Sequence, residues 1–443
     1  MIADRDFQKT YRQKPTDFVR DRVLSFSKVV VGLIHLMNRS IAVELAKLLG
    51  HLHGMAAPLC SKQAFSQQRQ KLKPEAFVAL NEQLIAAFYA DGNFEKFHGF
   101  RLLAMDGSTL ELPESAEVVQ HYGRAANQET SLPMGRCSLL HDVVNQITLH
   151  ALLVPYLSGR RCGDDRAMGW QHLHWLQNAG TAPFPSLLLM DRGYPSIDLM
   201  AQLQVQGMAF IMRVSEQCSL QEIRDFAASG QQQVIITLDV TTPKRRKNQR
   251  LQTALHQLEY APLVVRLLSI DLPDGNKEYL LSNLIDDRTA ERTYSLDFFY
   301  EAYGKRWGIE TQYAFDKTLL EIENFSSKKV VGIQQDFYAS ILCRNINALL
   351  NVDAQEHLQQ QARQRARQGK ANEQVYGVNR AVSLGLLKDQ IAGMLFGTQP
   401  LEASYDKLVA QISRNKSLSK PGRHFSHKRK RPRKPKINHR RPT

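Results

Sequence analysis

The chain has 443 residues, an apolar fraction of 43% and a formal net charge of +15, which excludes a disordered or fibrous protein and fits several compact units. Its longest apolar stretch, residues 29–37, contains a Gly and a His and is far too short to cross a bilayer. Residues 1–14 lack the apolar core of a signal peptide, so a cytoplasmic protein with no membrane partner is expected.

Residues 40–52 carry apolar positions at helical spacing, Gly54 marks a turn, and residues 61–72 begin a second helix rich in Gln, Lys and Arg. The pair reads as a helix-turn-helix offering Lys62, Gln63, Gln67, Arg69 and Lys71 to DNA, or as an ordinary helical domain with a polar face. From residue 100 the pattern turns to strands, RLLAMDGSTLELP and CSLLHDVVNQITLHALLVPY, broken at SGRRCGDD before a helix over 166–177. SLLLMDRGY, a helix over 196–206 and the strand AFIMRV complete an alternating α/β order, for which a mixed sheet flanked by helices is the natural fold.

Residues 215–292 read as a β-rich insertion: QQVIITLDV, PLVVRLLSIDL and KEYLLSNLI, separated by DGN and the basic loop PKRRKNQR. Helices resume at 295 and run to about 351; residues 353–373 read as a polar helix or linker, and a last amphipathic helix is expected over 381–395. From 414 to the end there are thirteen Lys or Arg and no acid, leaving about +2 for everything before it. That tail, 414–443, reads as disordered, either a solvated polycation or an arm that binds phosphates without sequence choice. The expected division is a helical DNA-binding domain (1–98), a catalytic core in two parts (99–214 and 293–352) around the insertion (215–292), a helical region (353–413) and the tail.

The five cysteines, Cys60, Cys137, Cys162, Cys218 and Cys343, form no CxxC pair, and Cys162 with His172 and His174 matches no standard zinc spacing. The acids are more informative. Asp106 sits where the apolar run LLAM meets Gly107, and Asp191 ends LLLM two residues before Gly193. An acid attached to a core strand needs a partner, and a metal ion is one; alone, each is also an ordinary strand-to-turn residue. Tyr303, Arg306, Glu310 and Lys317 stand at offsets of 0, 3, 7 and 14, within about 60° of one another on a predicted helix, with Glu301 and Asp316 on the opposite side. Spacing alone leaves open a solvated face with an Arg306–Glu310 ion pair.

The segment YGKRWGIETQYAFDK fits Y-x2-R-x3-E-x6-K with every spacing kept, and in this it resembles the insertion sequence 4 family of DDE transposases. LLAMDGSTLELP, SLLLMDRGYPS, GMAFIMRV and EYLLSNLI follow the same family in order, so the resemblance spans roughly residues 20–350. It implies an RNase H-like catalytic core in which Asp106, Asp191 and Glu310 are catalytic and hold two Mg²⁺ or Mn²⁺ ions, about 3.5 to 4 Å apart, for in-line phosphoryl transfer. It further implies metal-dependent cleavage of double-stranded DNA at terminal inverted repeats, strand transfer to target DNA by a cut-and-paste route, and a homodimer in a synaptic complex in the bacterial nucleoid.

By the same resemblance Tyr303, Arg306 and Lys317 are phosphate contacts, and Arg213 contacts DNA unless it is a plain surface arginine. Trp307 either stacks on an unpaired base or fills a core. Residues 215–292 contain no Trp or Met, a departure from relatives that stabilise a flipped base there; Tyr260 and Tyr279 are the available substitutes. The alternatives are a domesticated or inactive transposase acting as a DNA-binding protein, and a stand-alone nuclease of the same fold.

Overall fold

A computed structural model of the chain describes residues 1–20, 23–35, 39–53, 59–125, 132–156, 164–179, 184–272, 275–285, 293–369, 374–397 and 399–418. Helices α1 (Arg5–Tyr11), α2 (Phe26–Ile34), α3 (Ile41–His53), α4 (Lys62–Arg69) and α5 (Glu75–Tyr89) come first. They are followed by β1 (Arg101–Glu111), α6 (Ala116–Tyr122), β2 (Met134–Asp142), β3 (Ile147–Pro155), α7 (Asp165–Asn178), β4 (Ser186–Met190), α8 (Ile197–Val205) and β5 (Ala209–Val214). Next come α9 (Gln221–Ser229), β6 (Gln233–Thr237), α10 (Pro243–Arg246), α11 (Gln249–Gln257), β7 (Val264–Asp271) and β8 (Lys277–Ser282). The chain ends with α12 (Leu296–Gly304), α13 (Trp307–Thr318), α14 (Val330–Arg367), β9 (Tyr376–Val378), α15 (Arg380–Phe396), α16 (Leu401–Arg414) and β10 (Lys416–Leu418). These elements fall into two compact units, one of Met1–Leu84, Leu110–Met134 and Phe315–Thr443, the other of Ile85–Thr109 and Gly135–Ala314.

The first unit is helical. Ser25 and Ser61 cap α2 and α4 by accepting from the backbone N–H groups of Lys28 and Ala64, the expected role of a short hydroxyl at a helix start. Phe26, Val29, Val30, Leu45, Phe65 and Phe77 pack with Leu342, Leu350, Leu387 and Ile412 into one core. Inside this unit Arg69 is buried: it donates to Gln335 Oε1 at 2.8 Å, the Gly332 carbonyl at 2.9 Å and Asp336 Oδ1 at 2.8 Å. Arg69 is therefore withdrawn from the set offered to DNA, because its fork is saturated by the loop and first turns of α14. Lys62, Gln63 and Gln67 are exposed and Lys71 is partly so.

The second unit is built on a sheet of order β3-β2-β1-β4-β5-β8-β7-β6 among the described residues. β1, β4 and β5 are parallel neighbours, while β2–β3, β5–β8, β8–β7 and β7–β6 are antiparallel. The central strands are covered on both faces, so they read as unbroken apolar runs: Leu102 to Met105, Leu187 to Met190 and Phe210 to Met212 are buried throughout. This is the mixed α/β, helix-flanked RNase H-like fold expected from the sequence.

The structure changes several local readings. Residues 215–292 hold α9, α10 and α11 besides three strands, and those strands extend the main sheet instead of forming a separate one. The basic stretch PKRRKNQR is not a loop: Pro243 opens α10 and Asn248 caps α11 by accepting from Leu251 N–H, both ordinary helix starters. Much of 353–373 continues α14 as far as Arg367. The tail is ordered up to Leu418, since Arg414 ends α16 and β10 pairs with β9; residues 419–443 lie outside the described residues.

One hydrogen-bonded chain ties α7 and β3 to β1. Ser138 Oγ spends its single proton on the Asp106 carbonyl, 3.0 Å away. His172 Nε2, 3.0 Å from that hydroxyl, must therefore donate to it. Its Nδ1 then carries the lone pair, and His150 Nδ1, 2.9 Å away, is the donor. His150 also stacks on Trp175 at 5.0 Å between ring centroids. A proton added to His172 Nδ1 would set two N–H groups against each other. Burial pushes His150 down to about 4 and His172 well below its ordinary value, helped there by His150. Both histidines are thus committed to this chain, and His174 to Asn178 on the helix surface; Cys162, the third member of the candidate zinc set, is outside the described residues.

Two expectations follow. Arg69→Met should cost on the order of 3 kcal/mol by urea unfolding, because it leaves the largely buried Asp336 without its cation, and the added change Asp336→Leu should recover part of the loss; a single-variant loss below about 1 kcal/mol would remove Arg69 as the pin between α4 and α14. An unfolded histidine binds a proton near pH 6.5 whereas folded His150 resists until about 4, so the unfolded state holds more protons between those values. Stability should fall as the pH is lowered from about 6.5 to 4, and His150→Phe should flatten that part of the curve of unfolding midpoint against pH.

Candidate functional site

The register of two strands sets the site. β1 and β4 pair in parallel with Met105 opposite Met190, so the next two residues stand at the same level: Asp106 in the middle of β1, which runs on to Glu111, and Asp191 just past the end of β4. Each carboxylate is steadied by a nearby glycine: Asp106 Oδ1 accepts from Gly107 N–H at 2.9 Å, and Asp191 Oδ1 from Gly193 N–H at 2.6 Å. The Asp106 carbonyl takes two donors, Ser138 Oγ and the Tyr313 hydroxyl at 2.8 Å. Tyr313 lies one turn after Glu310 on α13, and residues three apart share a helix face. That bond therefore brings the Glu310 side of α13 to the middle of β1.

Arg306 fills the space between the acids. Its guanidinium donates to Glu310 Oε1 at 2.8 Å and stands 4.0 Å from Asp106 Oδ2. It is only 4% exposed. This is an i,i+4 pair as the spacing foresaw, with its arginine buried and its glutamate side chain 38% exposed. The four-residue stripe does not lie on one helix: α12 ends at Gly304, Lys305 and Arg306 form a turn, and α13 begins at Trp307. Tyr303 is buried on α12, its hydroxyl pushed up by burial. Arg306 is set across its ring at 5.5 Å and across that of Trp307 at 5.2 Å. Trp307 is 43% exposed and so is no core residue.

Asp106 carries the electrostatic signature of the cluster. Burial, opposed by Arg306 and Gly107 N–H and reinforced by the charges of Asp191 and Glu310, pushes its carboxyl up to about 7. A carboxylate so placed lacks positive charge, and a hard divalent cation with oxygen preference is the partner its chemistry suits. The donor set of Asp106, Asp191 and Glu310 fits Mg²⁺ or Mn²⁺ in kind. With Arg306 engaging Glu310, however, no three His, Cys, Asp or Glu are gathered closely enough to hold a metal ion among the described residues.

Asp165 is an acid of this site that the sequence reading missed. Its Oδ1 lies 2.8 Å from where a Cβ on Gly107 would stand, and its Oδ2 2.7 Å from that of Gly193. A side chain at Gly107, within β1, or at Gly193, in the turn after β4, would displace the Asp165 carboxylate. Asp165 is held by Arg136 at 2.7 Å, and burial, opposed by that arginine and reinforced by Asp191, raises its carboxyl. The only local signal was the doubled acid in SGRRCGDD, where Asp164 caps α7 by accepting from Ala167 N–H.

The remaining candidates disperse. Arg213 on β5 is paired with Glu278 at 3.2 Å. Lys317 belongs to the helical unit, where it stands 3.8 Å from Glu323. There Asp316 is buried and bonded to Arg344, while Glu301 pairs with Lys305 in the sheet unit. Of the two tyrosines in the insertion, Tyr279 is buried on β8 and Tyr260 is 67% exposed after α11.

Comparison with known proteins bears on this arrangement. No curated protein matches the sequence. Among solved structures the chain is similar to a piggyBac transposase synaptic complex with hairpin DNA, at 11% identity and a TM-score of 0.44, over 95% of this chain and 82% of that one. Residues 98–346 match the family described as "Transposase DDE domain". That match takes in more than half of the sequence, including Asp106, Asp191 and the Glu310 helix, and the chain belongs to the transposase DDE domain family.

Proposed function

We propose that the chain is the transposase of an insertion sequence, of the insertion sequence 4 type, which cleaves double-stranded DNA at terminal inverted repeats and joins the freed ends to target DNA by a cut-and-paste route. The observation that carries the reading is the placing of Asp106, within β1, and Asp191, just after β4, at one level of the paired strands, with Tyr313 of the Glu310 helix bonded to the Asp106 carbonyl and Arg306 between Asp106 and Glu310.

Asp106, Asp191 and Glu310 are the residues that would hold two Mg²⁺ or Mn²⁺. Bound there, the ions supply activation of the attacking oxygen and stabilisation of the leaving oxygen in an in-line displacement. Arg306, buried against two of these acids, would meet an anionic phosphate oxygen with its remaining donors, and its planes against Tyr303 and Trp307 limit its rotamers. Trp307, exposed beside it, is placed to stack on an unpaired base. Tyr303 supports Arg306 through its ring; Lys317 and Arg213 are the further phosphate contacts of this reading. Two ends must be held together for joining, so the working form is a homodimer in a synaptic complex. Among the described residues no helix is long and apolar enough to cross a membrane, in keeping with a cytoplasmic, nucleoid-associated protein.

Duplex carrying the element's terminal repeat, incubated with Mg²⁺, should be nicked at the repeat boundary by the wild type. Asp106→Ala, Asp191→Ala and Glu310→Gln should each reduce the rate on the order of 10³-fold or more. Repeat-specific binding by a wild type that cuts nothing would instead favour a domesticated DNA-binding protein, and retained cleavage in Glu310→Gln would remove that residue from the set. Deleting residues 419–443, which keeps β10 intact, should weaken duplex binding and flatten the slope of log affinity against log salt by about 0.9 for each phosphate the shortened chain no longer neutralises; an unchanged slope would return the tail to a solvated polycation.

A further inference from the structure

The cations of α10 and α11 have no part in the chemistry above. α11 turns Leu251, Ala254 and Leu255 inward, in contact with α8, and leaves its polar side out. Arg245 is taken by Glu222 at 2.8 Å. Lys244, Arg246, Lys247 and Arg250 are exposed, and none has an acid within ion-pair distance among the described residues. Four cations held close together repel one another, so a surface that keeps them calls for an anion.

Their position identifies the anion. Arg250 lies over the ring of Trp170 on α7, 4.9 Å from its centroid. Stacking uses the face of a guanidinium and leaves the N–H donors on its edge free, which is the geometry that grips a phosphate. Trp170 is four residues after Arg166 and shares its helix face, about 6 Å apart. Arg166 Nε in turn donates to the Gly193 carbonyl at 3.3 Å, in the turn that carries Asp191. A continuous file thus leads from the Asp191 turn through Arg166 and Trp170 to Arg250, Lys247 and Arg246, all within the sheet unit.

We propose that this file is a track for the phosphate backbone of duplex DNA beside the scissile position. The proposal rests on the transposase reading and adds to it a second contact surface within the sheet unit, separate from the tail. A regular backbone with one charge per strand every ~3.4 Å matches a line of spaced cations better than a small anion does, and none of the named side chains reads a base.

The test uses the full chain and random-sequence duplex of about 30 base pairs, with affinity measured by fluorescence anisotropy over a range of salt. The triple variant Arg246→Gln/Lys247→Gln/Arg250→Gln should bind at least about 10-fold more weakly near physiological salt, and the slope of log affinity against log salt should fall by about 2 to 3. Lys247→Glu alone, at an exposed position in the turn between α10 and α11, serves as the second variant and should lower the slope by about 1; both are checked for an unchanged thermal midpoint. A weaker affinity with an unchanged slope, or an unchanged affinity, overturns the track. So does a loss confined to single-stranded RNA, which would assign the surface to that ligand. If the wild type binds no duplex at all, the transposase reading fails with it, and the two failures are distinguished by that control.

Discussion

The in-register parallel pairing of β1 with β4 is the constraint on which the site depends. Leu102 to Met105 and Leu187 to Met190 are buried, and Asp106 and Asp191 are the first charges after those runs. Where the apolar runs stop, the pleat sends two carboxyl groups out at one level, and everything else answers to their mutual repulsion. Arg306 is buried to offset it, Ser138 and Tyr313 fix the backbone of Asp106, and Gly107 and Gly193 stay bare so that Asp165 can approach. A slip of one residue between the strands would put Met105 beside Asp191 and leave Asp106 facing its own neighbours.

The turn at Lys305 and Arg306 has a comparable importance. A continuous helix would hold Arg306 and Glu310 at the spacing of an exposed pair, worth a few tenths of a kcal/mol. The break after Gly304 ends α12 before Arg306, whose guanidinium lies over the buried Tyr303 ring and reaches Glu310 on α13. The ion pair is then partly desolvated and linked to Asp106, and its partners share one electrostatic balance.

The parts of this arrangement visible in the sequence are those decided by neighbours along the chain. Asp106 and Asp191 announce themselves as acids at the ends of apolar runs, and Glu310 by its spacing to Arg306. The readings that fail are decided elsewhere. Arg69 looks like an exposed arginine on a Gln-rich helix because its partners, Gln335 and Asp336, are more than 260 residues away. PKRRKNQR looks like a loop because Pro and Asn break helices in their interiors, yet the same residues start them. Asp165 is invisible for a third reason: of the two glycines that make room for it, one lies within β1 and the other in the turn after β4, and their nearness exists only once the sheet has formed.

The order in which the chain closes on itself has a kinetic consequence. The sheet unit is complete by Ala314, whereas the helical unit draws on the first 84 residues and on everything from Phe315 onward. During synthesis the sheet unit can therefore form while α1 to α4 still lack α14, α15 and α16, the helices against which Phe26, Leu45 and Phe65 are buried. Pairings of that sequence separation close late. Until the ribosome has passed α16, the N-terminal helices expose an apolar face and an Arg69 still waiting for Asp336, and this interval is when the nascent protein most needs a chaperone.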